Sequence, residues 1–216
     1  MSHDKEFGIE PVRGLPEAPP EGERILWQGA PAAWPMARAA LGATWVAGYF
    51  AALAGWRGAV VGISEGAPAG AVTASWYVAI GALAIGVLAF IAWVMARATV
   101  YTLTTERVAM RIGAALTVTL NLPYRWIESA DLRMNGDGTG SIELDLKGAS
   151  KVSYFVLWPH VRPWAIVRPR PTLRCLRDAR EVAAILGAAA SARVTEVTAA
   201  PGLPATDVSA HPIAAE

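Results

Sequence analysis

The sequence holds one cysteine and three histidines, and its stretch from Ala71 to Ala96 has no Asp, Glu, Lys, Arg, His, Asn or Gln at all. The lone Cys175 excludes an internal disulfide and suits a reducing compartment. His3 and His211 fall in termini that read as unstructured, so with His160 they offer no metal triad. There is no Gly-x-Ser-x-Gly, no His-Glu-x-x-His, no paired cysteine and no internal repeat. The glycine run Gly136–Gly140 lacks a lysine and opens no helix. With Asn135-Gly136 and Asp137-Gly138, which reach positive φ cheaply, it reads as a hairpin turn rather than a phosphate loop. A formal charge of +1 argues against a general nucleic-acid binder. The first 38 residues have no apolar stretch, so no cleaved leader is expected. No catalytic, metal or cofactor-binding residue emerges, and an enzyme is not expected.

What is present follows from the missing charge. As a helix, Ala71–Ala96 reaches roughly 39 Å, more than the ~30 Å hydrocarbon core of a bilayer. It has no polar face with which to meet water. Ala39–Trp56 is also uncharged and is bracketed by Arg38 and Arg57, whose stems can carry the guanidinium to an interface. Its many Gly and Ala leave a buried core helix as the alternative. Trp34 and Trp56 flank the first span, and Trp76, Tyr77 and Trp93 the second, as in aromatic belts. Trp45 and Tyr49 fall mid-span, where helix packing is the plain reading. Between the spans, Arg57–Gly70 reads as a short glycine-rich loop closing a hairpin. Arg24 and Arg38 before the spans, and Arg97, Arg107 and Arg111 after them, put both termini in the cytoplasm.

Ala47, Ala51 and Gly55, and likewise Ala82 and Gly86, recur every four residues, a spacing that lets helices approach closely. They could pack the two spans on each other, or dock a client subunit or a second copy of the chain. Neither span has a histidine to ligate the magnesium of a pigment, and no intramembrane charge marks a transport path.

After Arg97 the pattern alternates. Thr99–Leu103, Arg107–Ile112, Leu116–Leu120, Trp126–Met134, Ser141–Leu146 and Val152–Leu157 read as strands, and Trp164–Arg168 as a further candidate. Asp178 with Glu181 forms a capping box. Val182, Ile185, Leu186 and Ala189 follow at helical spacing, so one helix over 178–190 closes the domain. The chain therefore divides into a flexible N-terminus (1–22), a strand and juxtamembrane segment (23–38) and a transmembrane hairpin (39–96). A β-rich cytoplasmic domain (97–190), a small sandwich or barrel plugged by its helix, and a disordered tail (191–216) complete it.

Two sets of residues carry a resemblance. Glu21-Gly-Glu-Arg-Ile-Leu-Trp-Gln-Gly29 ahead of the spans, with Tyr101-Thr-Leu-Thr-Thr-Glu-Arg107 behind them, resembles membrane-anchored bacterial pleckstrin-homology-like domains. The narrower run Leu157-Trp-Pro-His-Val-Arg-Pro-Trp164, with Arg168-Pro169, resembles the PuhB family of photosynthetic-complex assembly proteins of purple bacteria. The resemblance implies a non-enzymatic factor of the inner (intracytoplasmic) membrane that helps build the reaction centre, with a secondary effect on the core antenna. Reaction-centre subunits and core antenna polypeptides would be its partners, and no cofactor is implied.

The last polar feature is a run of arginines at 162, 168, 170, 174, 177 and 180 with one acid, Asp178, among them. Near an anionic leaflet each could contribute about 1 kcal/mol of attraction. Trp158, His160, Arg162, Trp164, Arg168, Arg170, Arg174 and Arg177 are thus the candidate contacts for a partner or for lipid headgroups. A solvated face of paired arginines and core tryptophans is the plain alternative. An anionic-lipid-binding or scaffolding module without a photosynthetic client remains the second functional reading.

Overall fold

The computed structural model describes residues 14, 15, 17, 19–113, 117–148, 153–162, 166 and 168–199. They form two compact units: Ala32–Ala98, and the described residues on either side of it.

The helical unit contains α1 (Ala33–Ala39), α2 (Ala43–Glu65) and α3 (Ala67–Ala98). The first long helix starts at Ala43 and not at Ala39, where α1 ends; both long helices extend into the expected loop Arg57–Gly70, which is almost entirely helical. The chain reverses at Gly66 alone, with φ 94°. Glycine costs a helix about 1 kcal/mol against alanine, which is why these residues read as a loop. Here the missing side chains are what brings the helices together. Gly58, Gly62 and Gly70 meet at the crossing, and a Cβ on Gly70 would strike the Gly58 carbonyl oxygen and lie 2.8 Å from Gly62 Cα. Further along, a Cβ on Gly81 would lie 2.7 Å from Cβ of Phe50.

The outward faces of this hairpin are apolar. Trp45 is 85% exposed and Ile63 88%, and Tyr49, Trp56, Trp76, Leu83 and Phe90 are also exposed. A core helix of a water-soluble protein turns such side chains inward. Both α2 and α3 are long and apolar enough to cross a membrane.

The second unit is built from β1 (Ile25–Gly29), β2 (Val100–Thr104), β3 (Arg107–Ile112), β4 (Val118–Pro123), β5 (Ile127–Met134), β6 (Gly140–Leu146), α4 (Tyr154–Leu157), β7 (Thr172–Leu176) and α5 (Ala179–Ala199). Antiparallel pairing gives one sheet in the order β1-β2-β3-β4 and a second in the order β5-β6-β7. Inward residues of both sheets, among them Tyr101, Leu103, Met110, Leu122, Ile142 and Leu144, share one core with Val182 and Leu186 of α5. This is the expected β-rich domain closed by a C-terminal helix. A 3₁₀ turn at Tyr124–Trp126 precedes β5. Its Tyr124 hydroxyl donates to the Thr104 carbonyl at 2.7 Å, stitching the turn to β2. Tyr124→Phe should lower stability by about 1 kcal/mol without changing the fold, read as a fall in melting temperature.

Two expectations are corrected here, and a third lies mostly outside the described residues. Val152–Leu157 is not a strand: Tyr154–Leu157 is a helical turn, and Val152 lies outside the described residues. The apolar run reads the same either way, because a short buried segment carries no periodicity that separates the two. The last strand is instead β7, hidden among arginines. The candidate strand Trp164–Arg168 falls mostly outside the described residues. Finally, α5 runs to Ala199, so 191–199 is helical and not part of a disordered tail. Ala188-Ala189-Ala190 favours continuing the helix.

Candidate functional site

The segments on which the resemblance rests lie side by side. Strand β1 pairs with β2, Gln28 opposite Thr102, and the Gln28 side chain donates to Thr102 Oγ1 at 2.9 Å. Arg107 grips Glu23 bidentately, Nε to Oε1 at 2.9 Å and Nη2 to Oε2 at 3.0 Å. Trp27 donates its indole N–H to Asp178 at the head of α5, 2.9 Å away. That carboxylate, read from sequence as a helix cap, thus fastens β1 to the closing helix.

The Leu157–Arg162 run joins the same assembly. It is pinned by backbone bonds from Thr172 N to His160 O and from Arg162 N to Arg170 O, with a bridge from Val161 to Pro171. The Trp158-Pro159 peptide is cis. His160 is only 1% exposed. Its Nδ1 lies 2.6 Å from the Tyr101 hydroxyl and its Nε2 3.2 Å from Thr99 Oγ1. The phenol oxygen accepts the Arg174 backbone N–H at 3.3 Å, which leaves its own proton for Nδ1. Nε2 then carries the ring proton and donates to Thr99. Burial, with the Arg174 guanidinium second, lowers the His160 pKa to about 3. The ring is neutral at physiological pH and faces inward, so His160 is removed from the contact surface assigned to it by sequence.

Strand β7 explains the arginines. Its register with β6 shifts between Gly140 and Ile142, and Cys175 has φ 53°. This marks a bulge, and all five residues of β7 are buried, Arg174 and Cys175 among them. Burial pushes the Cys175 thiol up to about 11, which leaves it protonated and unreactive. On the outer face of β6, Arg162 reaches the buried Glu143 at 3.4 Å, Arg133 reaches the same carboxylate at 3.9 Å, and Arg170 pairs with Asp145 at 2.8 Å. Arg162 and Arg170 are thus paired within the fold and Arg174 is buried, while Arg168, Arg177 and Arg180 are exposed. Trp158 is 44% exposed, and Trp164 lies outside the described residues. Sequence spacing could not foresee this, because the acids that answer the arginines sit on another strand.

The small-residue stripe is also redistributed. Ala51, Gly55, Ala82 and Gly86 face away from the α2–α3 contact, and a Cβ on Gly55 or Gly86 would meet nothing within 4 Å. Ala47 is half-buried. The helices meet instead through Gly58, Gly62, Gly70, Ala74 and Gly81. The signal for that face was the glycine run read as a loop. Among the described residues no group of three or more His, Cys, Asp or Glu is gathered that could hold a metal.

These features have a counterpart in known sequences. A protein of Rhodobacter capsulatus, described as an uncharacterized 23.7 kDa protein in the puhA 5' region, is 42% identical over 202 residues, 92% of this chain and 94% of that one. No solved structure matches the chain. The bacterial PH domain family matches residues 40–190, which takes in both long helices and the β-unit from β2 into α5, but not β1. The chain belongs to the bacterial PH domain family.

Proposed function

We propose that this protein is a non-enzymatic, membrane-anchored assembly factor for the photosynthetic reaction centre, of the PuhB type, with a secondary effect on the core antenna. The observation that carries the reading is the near end-to-end relative in the puhA 5' region, since puhA is a photosynthesis gene. The outward-facing apolar hairpin supports the anchor. In this reading α2 and α3 cross the intracytoplasmic membrane, both termini lie on the cytoplasmic side, and the β-unit works by protein–protein contact. Exposed Trp158, Arg168 and Arg177 are the part of the sequence-derived surface that remains open to a reaction-centre subunit. Pairing of Arg162 and Arg170 with acids on β6, and burial of Arg174, count against a general anionic-lipid module.

Deleting the gene should lower assembled reaction centre several-fold while bacteriochlorophyll synthesis continues, measured by absorption of isolated membranes. Unchanged reaction-centre levels would refute the proposal.

A further inference from the structure

Strand β5 is eight residues long, and among the described residues it pairs only with β6. Edge strands of this length are normally covered or blunted, because their free N–H and C=O groups invite another strand. Here the core-side residues are also uncovered. Leu132 stands opposite the buried Ile142 and Ala130 opposite Leu144, yet Leu132 is 40% exposed, and Ala130 and Met134 are exposed as well. On the other face Asp131 stands directly opposite Glu143, a like-charge pairing that weakens a ladder. The nearby cations Arg133 and Arg162 are directed at Glu143.

The geometry points to a second copy of this chain as the occupant of this edge, its β5 running antiparallel to the first about a two-fold axis at Leu132. Residues directly opposite in an antiparallel pair share a face, so a two-fold pairing must be centred on a residue. Centred on Asp131, it sets that acid against itself. Centred on Ala130, it leaves Asp131 opposite Ser129 and Arg133 opposite Ile127. Centred on Leu132, it puts Asp131 opposite Arg133 of the second copy, and Arg133 opposite Asp131, while Ala130, Leu132 and Met134 of both chains form one apolar strip. The second copy's guanidinium then supplies the cation beside the Asp131–Glu143 pair. The two three-stranded sheets become one continuous six-stranded sheet.

The test uses the full-length chain in proteoliposomes, with one added cysteine per variant crosslinked by mild oxidation. Across the axis, two Leu132→Cys residues would have Cα atoms about 5 Å apart. Two Glu128→Cys residues would be ~27 Å apart along the strands. Leu132→Cys should form a homodimer in high yield. Glu128→Cys should not, nor should the parent chain, whose Cys175 is buried. Adding Asp131→Arg to Leu132→Cys should cut the dimer yield at least tenfold, and adding Arg133→Asp as well should restore it. Equal yields at 128 and 132, no dimer at 132, or no recovery in the charge-swapped chain would each overturn the inference. So would a Leu132→Cys adduct, formed in native membranes, with a different polypeptide in place of a second copy.

Discussion

Gly70→Ala should destabilise the helical hairpin by about 3 kcal/mol, an effect out of proportion to one methyl group. The added Cβ meets backbone on the facing helix, the Gly58 carbonyl and Gly62 Cα, and backbone cannot rotate away as a side chain can. The helices must separate along the turn nearest Gly66, which loosens the close dispersion contacts between the two apolar helices. Gly55→Ala and Gly86→Ala are the controls. Both sites have open space, so they should hold or slightly gain stability through helix propensity. SDS titration of the detergent-solubilised chain, followed by tryptophan fluorescence, reads all three. If Gly70→Ala unfolds with Gly86→Ala, the helices do not meet through the 58–62–70 crossing.

The β-unit should lose stability on mild acidification, and His160 should account for the loss. Its folded pKa of about 3 lies below the ordinary 6.5, so the unfolded chain binds a proton that the folded chain refuses. Stability is therefore complete above pH 6.5 and falls as pH drops through the window from 6.5 towards 3. The slope is about 1.4 kcal/mol per pH unit, or about 2 kcal/mol between pH 7 and pH 5. In His160→Gln this slope should vanish from the described unit even though the variant is less stable throughout. His3 and His211 contribute equally to both chains and cancel in the difference. Thermal melts at pH 7 and pH 5 decide it: equal pH slopes in parent and variant would mean that the ring is not held neutral between Tyr101 and Thr99.

The resemblance-bearing residues turn out to be mostly structural. Glu23 and Arg107 form an ion pair, Trp27 reaches Asp178, and His160 bonds to Tyr101. Such residues were legible as a pattern because their spacing along the chain is tied to the strands that pair them. Their roles were not legible, because each partner lies dozens of residues away. The arginine run shows the same limit. It reads as one charged surface, yet Glu143 and Asp145 on β6 pair with two of its members and a third lies in β7, which is buried throughout.

By itself the sequence determined the two apolar helices, the alternating strands after Arg97 and the closing helix at Asp178, because each is a local matter of hydropathy, periodicity or capping within one segment. Only the tertiary structure decided which glycines are turns and which are contacts, that Tyr154–Leu157 is a helical turn and not a strand, and which arginines find acids or bury. Those outcomes depend on what the facing element presents at a few ångströms. That is a property of the pairing of segments, and no single segment encodes it.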